Sequence, residues 1–204
     1  DVTFFVGENG SGKSTLLSCI AKKYAGTPDV RIGYVPQENP LYDELKPVDN
    51  LRMWTNKRKS EILQALQAPP LAQLGIQTFL DTPVKNMSGG MKKRLSLACA
   101  LLDAPQILLM DEPFAALDAM TRNQMQSELM HIKEKEKMTV LFITHNIQEA
   151  IALGNRIMVM SKDGLIKEHM YNPIEKPVTP ASEGYGELWE HLNSMLTEEN
   201  TKEN

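Results

Sequence analysis

The chain has 204 residues, 42% hydrophobic and 24% charged, with a net charge of −4. That is the balance of a soluble globular domain long enough to bury a core, and it lacks the basic footprint of a nucleic-acid binder. No run reaches the roughly 18 apolar residues needed to span a bilayer, and no signal peptide is recognisable, so any membrane role is expected to come through a partner chain. The two cysteines, Cys19 and Cys99, sit in apolar helical stretches without metal-ligand spacing and read as buried, reduced thiols of a cytosolic protein. The sequence starts at Asp1 and enters a strand-like run almost at once, as a fragment of a longer product would.

That first run, Val2-Thr3-Phe4-Phe5-Val6, leads into Gly7-Glu8-Asn9-Gly10-Ser11-Gly12-Lys13-Ser14-Thr15 and then a segment of helical period. Strand, glycine loop and helix in this order are what a phosphate-binding loop requires. Glycines let successive N–H groups turn inward on a polyphosphate, and the following helix adds the positive end of its dipole. Lys13 would set a charge on the β- and γ-phosphates, and Ser14 would offer its hydroxyl to Mg²⁺. Leu16, Leu17, Ile20, Ala21 and Tyr24 mark one face of a helix over 14–25, stopped by Gly26 and Pro28. A short strand is expected over 30–35.

From 41 to about 83, apolar residues including Leu45, Met53, Trp54 and Leu66 are set among charges, which reads as a helical insert in an α/β framework, anchored by Trp54. Helices are expected over 90–103, 119–137 and 147–153, with buried strands over 106–110 and 139–144. Lys162-Asp163-Gly164 joins two more strands as a hairpin, and Leu188, Leu192 and Met195 mark a late amphipathic helix. The stretch 197–204 reads as disordered. Strands alternating with helices imply a mostly parallel sheet flanked by helices.

The strand over 106–110 ends in two adjacent carboxylates. Asp111 would hold Mg²⁺ and Glu112 would polarise an attacking water. Ser88-Gly89-Gly90 opens the 90–103 helix and offers a second anion site at a helix N-terminus. His131, His169 and His191 have no ligand-spaced partners and read as surface residues.

Taken in order, these stretches resemble the ATP-binding cassette of ABC transporters. Gly7–Thr15 is similar to its Walker A loop, Gln37 to its Q-loop, and Ser88-Gly89-Gly90 to the core of its signature motif. Ile107–Glu112 is similar to Walker B with the catalytic glutamate, Ala116-Leu117-Asp118 to the D-loop, and His145 to the switch histidine. The signature here departs from the family in carrying Met87 and Met91. The resemblance implies a phosphate-loop NTPase core over 1–40 and 104–170, a helical subdomain over about 41–103, and a C-terminal helix and tail over 171–204, all within one cassette. It also implies that the family's antiparallel strands before Walker A are largely missing, as in an N-terminally truncated cassette.

The function implied is an ATP-hydrolysing subunit that powers a separate membrane permease from the cytoplasmic face, with ATP and Mg²⁺. Gly7, Glu8, Asn9, Gly10, Ser11, Gly12, Lys13, Ser14 and Thr15 would hold the nucleotide, with Ser14, Gln37 and Asp111 on the metal. Glu112, His145 and Gln37 would act in catalysis. A second cassette, identical or different, would supply Ser88, Gly89 and Gly90 in trans, and Asp118 would lie at that interface. The helical subdomain would dock the permease through the groove near Gln37, and the Asn39–Leu51 region leans toward the export-type group. The alternative is a soluble ABC ATPase acting on DNA or ribosomes. Only 75 positions separate Lys13 from Ser88, too few for the long coiled coil of the chromosome-organising members.

Overall fold

The computed structural model describes residues 1–197 other than Ala25 and Pro28. In chain order the elements are β1 (Val2–Val6), α1 (Lys13–Tyr24), β2 (Ile32–Val35), α2 (Pro47–Arg52), α3 (Lys59–Ala65), α4 (Gly89–Leu101), β3 (Ile107–Asp111), α5 (Ala119–Glu136), β4 (Thr139–Thr144), α6 (Ile147–Leu153), β5 (Arg156–Met160), β6 (Ile166–Tyr171) and α7 (Tyr185–Thr197). Three short 3-10 turns lie between α3 and α4. Two units emerge, Asp1–Lys23 with Thr139–Asn204, and Tyr24–Met138.

In the first unit β1 is buried along its whole length, so it reads as an unbroken apolar run without alternation. It pairs in parallel with β4 and with β5, and Phe4 stacks on Phe142 of β4 with ring centroids 4.5 Å apart. The expected hairpin is present: β5 and β6 are antiparallel, with a register shift at Val159/Met160. Gly154 permits the close approach of α6 to this sheet, since a Cβ there would lie 2.5 Å from the Ala150 carbonyl and 3.1 Å from the Phe4 ring. Helix α7 docks through buried Tyr185, Leu188 and Leu192, and His191 meets Glu168 at 2.9 Å.

In the second unit β2 and β3 pair in parallel. Gly33 lets α4 descend onto β2, because a Cβ at that position would meet the Ala100 carbonyl at 2.5 Å. Helix α2 and the first two 3-10 turns pack on α4, and α3 packs on α2, with Leu51, Ile62, Leu66, Leu74 and Ile76 all buried. Buried Asn50 organises the loop before α2, accepting from the Tyr42 N–H (2.8 Å) and donating to the Tyr42 and Leu45 carbonyls. Helix α5 buries Met125, Leu129 and Ile132.

Three expectations are corrected. Cys19 is exposed, since Leu17 faces the core and a residue two positions later points away from it. Trp54 is exposed as well, just past the end of α2, where the helix stops before it can turn inward. Strand β2 starts at Ile32, two residues later than its β-branched run suggests. The stretch 198–204 and the Ala25 and Pro28 of the α1 stop signal lie outside the described residues. Among the described residues, no helix is long and apolar enough to cross a membrane.

Candidate nucleotide site

In the first unit the Gly7–Thr15 loop leaves the carboxyl end of β1, where ligands of parallel α/β sheets bind. Gly10 and Gly12 take φ of +87° and +83°, conformations closed to most side chains. A Cβ on Gly7 would lie 2.9 Å from the Met160 carbonyl and 3.0 Å from Ser11 Oγ, so the loop must start on glycine. Lys13 is 5% exposed and its ammonium is folded onto its own loop. It donates to the carbonyls of Gly7 (2.9 Å) and Glu8 (2.6 Å) and to Ser11 Oγ (3.3 Å). The ammonium is therefore preorganised within the loop that would receive a phosphate. Ser14 and Thr15, in the first turn of α1, face solvent, as does Asn9.

His145 belongs to the same edge of this unit. The parallel register pairs Val6 with Thr144, so Gly7 and His145 leave adjacent strands at the same end. The imidazole is exposed while the residues around it are pinned. Thr144 Oγ1 donates to Glu149 Oε2 (3.0 Å) and accepts from the Asn146 N–H (3.0 Å). Asn146 Oδ1 caps α6 through the N–H groups of Gln148 and Glu149. The turn of the β5–β6 hairpin also reaches the phosphate loop, where Lys162 Nζ is 3.4 Å from Glu8 Oε2.

In the second unit the register pairs Val35 with Met110, which brings Pro36-Gln37 and Asp111-Glu112 out at the same strand ends. Asp111 is nearly buried. Glu112 follows at φ +41°, a left-handed conformation that costs a residue with a Cβ about 1–2 kcal/mol. Such strain at a sharp turn after a strand is frequent at reacting groups. Between these loops stands Lys93 of α4, 4% exposed, with Nζ 3.4 Å and 3.3 Å from the carbonyls of Pro36 and Gln37. Burial pulls its pKa down to about 8, against the attraction of the Asp111 carboxylate.

The same unit brings the signature residues and Asp118 together. Ser88 caps α4, its Oγ accepting from the Met91 N–H (3.2 Å), and Asp118 caps α5, its Oδ1 accepting from the Thr121 N–H (3.0 Å). Bonds from Thr121 hold the Asp118 carboxyl below the usual carboxylate range. Cβ positions built on Gly89 and Gly90 would lie 3.9 Å from Leu117 Cδ2 and 2.8 Å from Thr121 Cγ2. Met87 is buried, so the departure at this position serves packing, while Ser88 and Gly89 remain exposed. Beside Gln37 a groove of about 490 Å³ is lined by Tyr34, Pro36, Pro40, Trp54, Cys99 and Asp103, among others.

Lys93, Thr121, Asn146 and Glu149 were not singled out from the sequence. Lys93 shares the i, i+4, i+8 face of Leu97 and Leu101, and a lysine on such a face was the available signal. Asn146 before Ile147 has the composition of a helix N-cap. Nothing local marks Thr121 or Glu149.

The family model that matches, described as ABC transporter, covers residues 1–115. The aliphatic sulfonates import ATP-binding protein SsuB of Bacillus cereus is 35% identical over 202 residues, covering 92% of this chain and 80% of the relative. The taurine import ATP-binding protein TauB of Pelagibacter ubique is 34% identical over 171 residues, covering 76% of this chain and 64% of the relative. Among solved structures, cbiO1 of Clostridium perfringens, part of the ABC transporter complex cbiONQ, superposes with a TM-score of 0.71 at 24% identity, covering 84% of this chain and 77% of the other. This last likeness speaks to the fold.

Proposed function

The chain belongs to the ABC transporter family as an ATP-binding, ATP-hydrolysing subunit that powers a separate permease, and we propose that its motif residues bind and hydrolyse MgATP. Lys13 and the Gly7–Thr15 amides would bind the β- and γ-phosphates. Glu112 would orient and polarise the attacking water, and His145 would hold the γ-phosphate as negative charge develops on it. The buried ammonium of Lys13, already turned into its glycine loop, is the observation that carries this reading.

Ser14, Gln37 and Asp111 would hold Mg²⁺. Their donors are all oxygens, the set a hard cation prefers, and Mg²⁺ characteristically needs only one or two carboxylates besides phosphate and water. When bound there, the ion would supply the positive charge that offsets the charge of the phosphates.

Ser88, Gly89 and Gly90 would act in trans on the nucleotide of a second cassette, with Asp118 at the same interface. The cap geometry supports this, since the Ser88 oxygen accepts from its own helix and its O–H remains to donate outward. On this reading 1–40 and 104–170 form the nucleotide-binding core, 41–103 the helical subdomain and 171–204 the C-terminal helix and tail. The groove at Trp54 and Pro36 would dock a cytoplasmic segment of the permease and so hold the subunit on the inner membrane face. The relatives named as import proteins favour an import-type partner over the export lean of Asn39–Leu51.

Co-expression with an ABC permease of the import type tests the proposal. ATP hydrolysis that needs Mg²⁺, together with permease-dependent recovery in membranes, is the expected result. Hydrolysis without the metal, or recovery in membranes without the permease, would overturn it.

A further inference from the structure

We propose that Lys93 is a positioning residue that ties the Gln37 loop to helix α4, so that displacement of the signature helix moves Gln37 with it. The inference rests on the reading of Gln37 as a metal- and water-coupling residue. An ammonium buried in the middle of a helix is costly unless it is paired, and a lysine on an exposed face would reach water with its long stem. Here the stem turns inward. Nζ lies 3.4 Å from the Pro36 carbonyl and 3.3 Å from the Gln37 carbonyl, and the Asp111 carboxylate supplies the countercharge.

Two consecutive carbonyls held by one cation restrict the loop at the residue whose side chain is to act. Pro36 has no N–H, so at that position the backbone can be held only through its carbonyl. Lys93 lies five residues after Ser88 on the helix that Ser88 caps. Farther along, Ser96, Cys99 and Ala100 line the groove beside Pro36. One rigid helix therefore carries the signature residues, the anchor of the Gln37 loop and a wall of the groove. Lys93 is the polar link from that helix to the loop.

A double-mutant cycle of Lys93→Met and Gln37→Ala, made in the full chain, tests this. Both kcat and the Mg²⁺ concentration for half-maximal ATP hydrolysis are read, with metal-free binding of a fluorescent ATP analogue as the folding control. Lys93→Met is expected to lower kcat about tenfold and raise the Mg²⁺ requirement, and the double variant to lose no more than Gln37→Ala alone. Lys93→Arg, which keeps the charge and its donors, is expected to recover part of the loss. Losses that multiply in the double variant, with Gln37→Ala itself impaired, would overturn the inference and leave the reading of Gln37 standing. A silent Gln37→Ala would overturn both. If Lys93→Met fails the folding control, Lys93→Gln takes its place in the same cycle.

Discussion

Thr121 closes the space over Gly90: a Cβ on residue 90 would lie 2.8 Å from Thr121 Cγ2. Thr121 is not free to turn away, because its N–H and hydroxyl both serve Asp118. Gly90→Ala is therefore expected to destabilise the protein by about 1–3 kcal/mol through overpacking. Thr121→Ser deletes the methyl and keeps the hydroxyl, so the double variant should recover most of the loss. Urea midpoints of the four proteins in the cycle measure it, and simple additivity would show that the contact is not limiting.

Lys13 is expected to carry nucleotide affinity. Its ammonium is bonded within the loop at 2.6–3.3 Å, ready to exchange loop oxygens for phosphate oxygens. Loss of a charge-assisted bond of about 1.5–3 kcal/mol predicts that Lys13→Ala weakens ATP binding roughly 10- to 100-fold or more. Titration calorimetry reads the change. Undiminished binding would show that the loop is not a phosphate site.

Glu112 yields two separate expectations. Glu112→Gln should bind ATP, lose about two to four orders of magnitude in turnover, and accumulate an ATP-bound dimer visible by light scattering. Normal turnover would remove Glu112 from the role of base. Independently, the φ of +41° predicts that Glu112→Gly is more stable than Glu112→Ala by about 1 kcal/mol, since only glycine relaxes there without strain. Thermal midpoints of this pair settle the backbone question without reference to catalysis.

Glu149 holds the strand end that presents His145. Removing its carboxylate leaves the buried Thr144 hydroxyl without its acceptor at 3.0 Å, a loss of about 1–3 kcal/mol. Glu149→Ala is expected to lower stability by that amount and to reduce ATP turnover. Glu149→Gln, whose amide oxygen can still accept, should restore most of both. Equal losses in the two variants would show that the carboxylate's charge, and not this bond, is what matters.

The two thiols should be chemically distinct. Cys19 is exposed, whereas burial pushes the Cys99 thiol up to about 12. Iodoacetamide at pH 8 is expected to modify Cys19 first, with Cys99 following only as the pH rises toward that value, because the thiolate is the nucleophile. Intact-mass spectrometry of the wild type and Cys19→Ser reads the order.

Much of the site was legible because its chemistry is local. Glycines, a lysine and a hydroxyl in nine consecutive residues define a loop whose backbone conformation follows from those residues, and Gly10 and Gly12 adopt the left-handed angles that only such a sequence tolerates. Strand ends were equally legible: Asp111 closes β3 and Thr144 closes β4, where the apolar runs stop. The burial of Cys19 and Trp54 was misjudged because composition tells how apolar a stretch is, not which side of a short helix meets the core.

The sequence by itself determined the order of the motifs, the alternation of strand and helix, and the phosphate loop, since each depends on residues within a turn or a strand of one another. Tertiary structure alone decided which distant residues support them. Lys93 reaches a loop more than fifty positions earlier, Thr121 confines a glycine thirty-one positions before it, and strand register sets Gly7 beside His145 and Pro36-Gln37 beside Asp111-Glu112. These relations depend on packing and register, and no local pattern encodes the partner of a side chain that lies across the fold.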